Sequence, residues 1–337
     1  MKLRTRLLAP VCALPLLLIL STAEAQDTTI KFVTANPENS YHGAFALGFK
    51  KHVEELSDGR VAVELFLGGQ MGSEQDNVTQ VSTGIMNVAS MAVNNVTPFS
   101  PIVGFATLPY MFNNLEEAWA VLDSPLRDDL NETMIEQGNF RAIAWMTGGF
   151  RVLTNSKKPV RTPADLQGLR IRVAKNDIMI ATYKAWGIDP VPMAWTELFP
   201  ALQQKVVDGQ DNPYMVLPAV KFYEVQKYVT NIHWILWVGP VIANEGWYQS
   251  LDPEIREIVD EAALRAEQEE RDWAITHEAL SVLAAVEHGM EITVPADDEK
   301  EWMEKAKSVW PQFYDDIGGK DFVDRVVAFL EEYRAAN

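Results

Sequence analysis

The side chains that most often carry catalysis are few and scattered in this sequence. Its one cysteine, Cys12, lies in an N-terminal apolar run, and no two of its five histidines have the i,i+4 spacing of a helical metal site. It contains no GxSxG turn, no HExxH, no GxGxxG and no phosphate loop ending in Gly-Lys-Ser or Gly-Lys-Thr. We therefore expect no catalysis, no metal and no cofactor. A pair of carboxylates acting as acid and base has no fixed spacing, so a carboxylate enzyme stays open as an alternative.

The negative net charge of the chain limits the kinds of partner that we expect it to bind. Lys and Arg number 29 and Asp and Glu number 47, which gives a formal net charge of −18. Such a chain repels phosphate backbones and anionic lipid headgroups, so we expect no nucleic-acid partner and no binding to a membrane surface. With 47% hydrophobic residues over 337 positions, the composition is that of a soluble globular protein of about two domains.

Residues 1–25 have the parts of a secretory signal peptide. Basic residues lie within the first six positions, positions 7–20 are apolar, and Ala23-Glu24-Ala25 is a small-x-small cleavage site before Gln26. The apolar run is shorter than the roughly 20 residues of a membrane-spanning helix. We expect cleavage at Ala25-Gln26 and export to the periplasm. Since the only cysteine leaves with the signal peptide, the mature chain is expected to have no disulfide.

Segments typical of strands and helices alternate twice along the mature chain. The first series is a strand at 29–34, a helix capped by Ser40 and running to Leu56, a strand at 61–66, a helix at 74–83 and a strand at 87–93. The second is a short helix that begins with a cap at 162–165 and ends at Gly168, a strand at 169–173, a helix at 178–186, a strand at 190–193 and a helix at 197–207. This alternation favours α/β domains with largely parallel sheets, and its repetition predicts two of them.

One predicted helix is longer than a single small domain. Asp252 can cap it, Pro253 suits its first turn, and no Gly or Pro follows until Gly289. About 36 residues at 1.5 Å per residue give roughly 54 Å. We expect this helix to run along both domains. The alternative is two helices with a kink near Glu269-Glu270.

An ordered set of motifs resembles one family of proteins. Residues 168–173 (GLRIRV), 192–198 (PMAWTEL), 207–213 (VDGQDNP) and 221–228 (KFYEVQKY) occur in order and at matching intervals, and 69–72 (GQMG) supports them. The pattern is similar to that of the periplasmic solute-binding proteins of TRAP transporters, the DctP type. The resemblance covers nearly the whole mature chain.

The resemblance implies a two-lobed α/β fold, with mixed, mainly parallel sheets and a long helix spanning both lobes. The chain would cross between the lobes more than once. Residues 26–149 with about 239–270 would form lobe I, and residues 150–238 with about 271–337 would form lobe II. The implied partners are a small organic-acid ligand, held as the lobes close, and a membrane permease of small and large subunits driven by an ion gradient. We expect a monomer.

The resemblance assigns the binding of an anion to Arg172. In the family, the arginine at the end of the equivalent strand forms a two-pronged ion pair with the ligand carboxylate. A planar guanidinium matches the two carboxylate oxygens and stays charged without water. Alternation along the segment puts Arg170 on the same face at a different depth, and we expect it to pair with a surface acid. The same pairing is the alternative for Arg172.

Four further residues are carried over from the family. Arg151 matches a second ligand arginine of many acid-binding members, and Asn212 matches a pocket asparagine that can orient a carboxylate or hydroxyl. Trp195 and Trp237 match aromatic positions in ectoine-binding relatives. The alternatives are a structural ion pair near the hinge for Arg151, a turn before Pro213 for Asn212, and core packing for the tryptophans.

Asn36 and Asn95 complete the expected pocket. Asn36 stands where ectoine binders have a glutamate facing the cationic ring, and a buried cation without an anionic partner is costly. Ala92 replaces an acid of sialic-acid binders, with Asn95 shortly after it. We expect Arg151 and Arg172 to repel each other until an anion binds. The ligand is expected to be a small carboxylate or sulfonate, with a zwitterionic solute such as ectoine, or a periplasmic enzyme on a bilobal scaffold, as alternatives.

Overall fold

The computed structural model describes residues 28–337. The expected signal peptide, residues 1–25, lies outside the described residues, so its cleavage stays a prediction. Within residues 28–337, no helix is both long enough and apolar enough to cross a bilayer.

Strands and helices alternate through most of the described chain. The strands are β1 (Thr28–Val33), β2 (Val61–Phe66), β3 (Val88–Ser90), β4 (Phe140–Asn155), β5 (Arg172–Val173), β6 (Val191–Pro192), β7 (Gly209–Pro213), β8 (Tyr228–Thr230), β9 (Leu236–Asn244) and β10 (Glu291–Thr293). The helices are α1 (Tyr41–Leu56), α2 (Glu74–Ser82), α3 (Leu115–Leu122), α4 (Leu126–Gly138), α5 (Asp177–Ala185), α6 (Trp195–Gln203), α7 (Val216–Ala219), α8 (Glu245–Ser250), α9 (Pro253–Glu287), α10 (Lys300–Lys307) and α11 (Lys320–Ala336).

Local sequence signals explain the first elements. Ser40 caps α1 because its side chain accepts a hydrogen bond from the backbone N–H of Gly43. Phe45, Phe49 and Val53 recur on one face of α1 and are fully buried, which fixes the orientation of the helix on the sheet. The predicted bounds of β1, α1 and β2 agree with the observed bounds to within one residue.

One mixed sheet runs through the molecule in the order β10-β8-β4-β9-β3-β1-β2, with β7 also paired to β4. β1 is parallel to β2 and β3, β10 is parallel to β8, and the separate β5–β6 pair is parallel. Every antiparallel pair of strands in residues 28–337 contains β4 or β9. The predicted mixed α/β fold is confirmed, and its antiparallel pairing is confined to partners of these two strands.

β4 joins the two halves of the sheet. Its residues up to Phe150 pair with β9, whereas residues 151–155 pair with β7, and residues 153–155 pair also with β8. The register with β9 shifts between Thr147 and Phe150, around Gly148 and Gly149. The sequence analysis missed this strand because nearly all of its side chains are buried, so no alternation of polar and apolar residues marks it.

α9 is a single helix of 35 residues, about 52 Å long at 1.5 Å per residue. Asp252 caps it by accepting a hydrogen bond from the backbone N–H of Glu254, and Pro253 occupies the first turn. The helix continues through Glu269-Glu270, so the alternative of two helices is wrong. It packs on α1, runs along β4 and also contacts α7, and therefore touches both halves of the molecule.

The C-terminal helix α11 packs against α3 and neighbouring residues of the N-terminal part of the chain. The ring of Phe322 meets that of Phe105 edge-on, with centroids 5.7 Å apart, and Arg334 donates to both carboxylate oxygens of Glu117 at 2.8 and 2.7 Å. α10 instead packs against α5 in the second half. The last helix thus completes the core around α3, and the division of the chain into two lobes stays a prediction.

Candidate functional site

A small cavity of about 20 Å³ lies between the two halves. Its lining includes all seven residues expected from the sequence: Asn36 after β1, Asn95 in the turn after β3, Arg151 on β4, Arg172 on β5, Trp195 at the start of α6, Asn212 on β7 and Trp237 on β9. A cavity of this size holds about one water molecule. An organic acid needs more room, so the walls must move apart to admit one. That these residues contact a ligand stays a prediction.

Arg172 brings a buried positive charge with unused hydrogen-bond donors. It is 3% exposed, and its Nε and Nη2 donate to the carbonyl oxygen of Met193 at 3.0 and 2.8 Å. These bonds use two of its five N–H groups. Within residues 28–337 no carboxylate oxygen lies within 4.0 Å of its nitrogens. Burial, followed by the nearby charge of Arg151, lowers the pKa of Arg172 to about 10, so it stays charged at neutral pH.

Arg151 already has a counter-ion. Its Nε donates to Oδ2 of Asp211 at 2.5 Å, and its Nη2 donates to the backbone carbonyl of Asp211 at 2.6 Å. Both side chains are buried on the neighbouring strands β4 and β7. Asp211 thus supplies a counter-ion to Arg151, but the charge of Arg151 still lowers the pKa of Arg172, in keeping with the predicted repulsion between the two arginines. Arg151 forms the structural ion pair named as its alternative and also lines the cavity.

Asn212 is held by a chain of amide and hydroxyl groups. Its Nδ2 donates to Oε1 of Gln210 at 2.5 Å, and Nε2 of Gln210 donates to Oγ1 of Thr154 at 2.9 Å. All three residues are buried. No hydrogen bond within residues 28–337 uses Oδ1 of Asn212, so this oxygen is available to a donor in the cavity.

The two tryptophans form aromatic parts of the wall. Trp237 is buried and meets the rings of Tyr41 and His42 edge-on, with centroids 4.5 and 5.1 Å away. Trp195 is partly buried and meets Phe222 edge-on at 6.0 Å. Each tryptophan therefore packs into the core with one part of its ring system and borders the cavity with another.

Glu74, which the sequence analysis did not single out, also lines the cavity. It is the first residue of α2 and is 6% exposed. Its Oε1 accepts from Nδ2 of Asn36 at 3.2 Å and from the backbone N–H of Ala92 at 3.3 Å, and its Oε2 accepts from Nδ2 of Asn95. Burial raises the pKa of Glu74, and these donors and the arginines partly oppose that shift.

The signal for Glu74 was present in the sequence. It lies two residues after the glycine-containing motif at 69–72 and begins a helix, and the N-terminus of a helix favours a negative charge. Its position also corrects the argument against a cationic solute. Asn36 does not leave the cavity without a carboxylate, because its amide donates to one.

His42 and Arg170 supply no free positive charge to the cavity. Burial lowers the pKa of His42 to about 3, so its ring is neutral, and Nδ1 lies 3.2 Å from Oγ of Ser90. Arg170 pairs with Asp208, with Nε and Nη2 at 3.1 and 3.0 Å from its oxygens, as the sequence analysis expected for an acid pair.

These features define a two-lobed α/β binding protein with a small polar cavity. Within residues 28–337 the buried guanidinium of Arg172 has no carboxylate partner, and the same cavity is lined by the carboxylate of Glu74, by amide groups and by indole rings. The lining residues come from positions 36–95 and from positions 151–237.

The family described as bacterial extracellular solute-binding protein, family 7 (DctP), matches residues 32–316. The chain belongs to this family, and its function is that of the solute-binding component of a TRAP transporter, outside the cytoplasm. The resemblance found in the sequence motifs is confirmed. The family and its solved members are substrate-binding receptors rather than enzymes.

Individual relatives cover most of the chain. A solute-binding protein of Roseobacter denitrificans is 34% identical over 255 residues, which are 74% of this chain and 77% of the relative. A TRAP periplasmic solute-binding protein of Polaromonas sp., solved with D-erythronate, has a TM-score of 0.84 and 27% identity over 89% of this chain and 98% of that one. One of Sulfurospirillum deleyianum, solved with succinate, has a TM-score of 0.85 and 27% identity over 90% of this chain and 100% of that one.

Proposed function

We propose that this receptor captures a small organic acid by the carboxylate or sulfonate group of the acid, with Arg172 as the anchor. The observation that supports this most is that Arg172 is buried and charged and has unused donors, while no counter-ion from residues 28–337 lies at hydrogen-bond distance. A bidentate ion pair with an incoming anion supplies that counter-ion. Such a charge is costly to leave unpaired, so its retention in the core is explained by a ligand that pairs with it.

The remaining site residues orient the acid and exclude water from it. Arg151 adds positive potential while remaining paired with Asp211. Asn212 offers its free Oδ1 to a hydroxyl group of the ligand. The indoles of Trp195 and Trp237 border the apolar parts of the ligand and lower the local dielectric, which strengthens the ion pair.

The two lobes are proposed to be discontinuous in sequence. Lobe I would contain residues 26–149, about 239–270 and the C-terminal helix α11, and lobe II would contain the rest. Packing of α11 against α3 supports this change at the C-terminus. A ligand bound to groups of both lobes favours the state in which they are close together, because only differential affinity shifts such an equilibrium.

The wider setting follows the family. We propose a monomeric periplasmic receptor, exported by cleavage near Ala25-Gln26, that delivers its ligand to a permease of small and large membrane subunits. The relatives solved with D-erythronate and with succinate support an acid as the ligand. They support neither an enzyme nor ectoine, the two alternatives.

Thermal unfolding of the purified mature protein tests the anion requirement. A ligand that binds only the folded state stabilises it by RT ln(1 + [L]/Kd), about 2.7 kcal/mol at 100 Kd. We expect D-erythronate to raise the melting temperature and erythritol, which replaces the carboxylate by a neutral alcohol, to leave it unchanged. An equal effect of erythritol would contradict a carboxylate anchor at Arg172.

A further inference from the structure

Within residues 28–337, Glu74 is the only carboxylate that lines the cavity, and it makes no ion pair. Its oxygens instead accept three N–H groups, from Asn36, Ala92 and Asn95. A carboxylate offers about four acceptor positions on its two oxygens. One acceptor position is therefore left for a hydrogen-bond donor that enters the cavity.

The positive charge of the cavity is concentrated at Arg172. The neighbouring Arg151 already has Asp211 as its counter-ion, and its Nε and Nη2 are used in hydrogen bonds to that residue. Arg172 can bind one anionic group through the N–H groups that Met193 leaves unused. A ligand with a second carboxylate would have no second free cation to place it on, and it would meet Glu74 across the same small cavity.

We propose that Glu74 is a specificity-determining residue, which selects acids with one negative charge and a hydroxyl-bearing tail and rejects dicarboxylates. This inference rests on the proposed function, in which Arg172 holds the carboxylate. A ligand hydroxyl donates to the remaining position on Glu74 and replaces the water lost on binding. A second carboxylate has no proton to donate and repels Glu74 instead.

A hydroxyl suits this position better than a cationic group does. The charge of Glu74 is already offset by three N–H dipoles and by the N-terminus of α2. A cationic tail would also share the small cavity with the guanidinium groups of Arg151 and Arg172. A hydroxyl meets the same oxygen without that repulsion.

Two pairs of acids differ only in the terminal group and test the inference directly. D-Erythronate and meso-tartrate have four carbons, D-galactonate and galactarate have six, and within each pair a terminal alcohol becomes a carboxylate. Since like charges about 4 Å apart at a protein surface repel by an energy worth on the order of 100-fold or more in affinity, we expect the monocarboxylate of at least one pair to bind that much more tightly. Isothermal titration calorimetry measures each affinity.

The Glu74→Gln variant tests whether the charge of Glu74, rather than another feature of the cavity, causes the selectivity. The amide keeps the size of the side chain and removes its charge. We expect binding of the monocarboxylate to weaken about 10-fold or more, as for the loss of a hydrogen bond to a charged group. Binding of the matching dicarboxylate should strengthen, so that the ratio falls to within about 10-fold. Glu257→Gln removes one charge at an exposed position of α9 and should leave both affinities unchanged.

The outcomes distinguish the inference from the proposed function. Equal binding of both members in every pair that binds to the unmodified protein would overturn the inference and leave the proposed function standing, and this test needs no variant to fold. An unchanged ratio in folded Glu74→Gln would do the same. Tighter binding of ectoine than of either monocarboxylate would also overturn the inference, in favour of a cationic tail. Failure of all four acids to bind would contradict the proposed function itself.

Discussion

Replacement of Arg172 by lysine keeps the charge and removes the geometry. The guanidinium uses Nε and Nη2 on the Met193 carbonyl and still has three N–H groups for the ligand. A lysine has one nitrogen, which cannot bind that carbonyl and span two carboxylate oxygens together. Disrupting one partner of a buried charge pair costs about 2–5 kcal/mol, so we expect affinity to fall roughly 30- to several-thousand-fold in Arg172→Lys.

Arg170→Lys is the matched control for this change. Arg170 lies two residues away on the same segment, but it is paired with Asp208 and does not line the cavity. Calorimetric titration with D-erythronate, or with the acid giving the largest thermal shift, compares both variants after circular dichroism has established that they fold. We expect Arg170→Lys to bind as the unmodified protein does. An affinity of Arg172→Lys within threefold of the unmodified protein would refute the assignment of the anchor.

Three further predictions concern stability and pH. Arg172→Met should raise the free energy of unfolding of the ligand-free protein at pH 7 by up to about 3 kcal/mol, because burial lowers the pKa of Arg172 from its usual range to about 10; a less stable variant in urea denaturation would contradict this. The pKa of His42 is about 3 in the folded protein and 6.5 in the unfolded chain, so only the unfolded chain takes up this proton between pH 7 and pH 5, and the free energy of unfolding should fall by about 2 kcal/mol over that range. His42→Gln should remove this part of the pH dependence. Parallel stability–pH profiles of the variant and the unmodified protein would contradict this. Burial raises the pKa of Glu278 to about 7, so the stability that this group contributes is present below pH 4.5 and is lost as the pH rises through 7, opposite to the effect of His42. The free energy of unfolding of Glu278→Gln should therefore exceed that of the unmodified protein by at most about 3 kcal/mol at pH 8 and should equal it at pH 4. Urea denaturation at both pH values measures this difference.

The parts of the fold with strong local signals were predictable. α1 has a capping serine and a regular apolar face, and α9 lacks any Gly or Pro between its ends, so both were found with nearly correct bounds. β4 and β9 were missed for a physical reason. Both are buried along almost their whole length, and a strand covered on both faces shows no alternation that distinguishes it from a buried helix.

The site was predictable as a set of residues but not as a network of charges. The resemblance to the family indicated seven residues, and the structure brings them to one cavity. The pairing of Arg151 with Asp211 depends on the antiparallel register of β4 and β7, which no local pattern reveals. Glu74 acquires its surroundings when α2 meets the turn after β3, and residues far apart in sequence provide its hydrogen bonds.

The sharing of β4 between the two halves has a consequence for how the chain folds. β4 pairs with β9 up to Phe150 and with β7 and β8 over residues 151–155, so neither half can complete its sheet without a strand that also belongs to the other. Half of the molecule produced alone would expose unpaired strand edges, which are prone to aggregation. The two lobes should therefore unfold in one cooperative transition, and the many contacts between distant parts of the chain should make refolding slow. The shared strand β4 therefore keeps the two lobes joined in a receptor whose lobes have to move relative to each other.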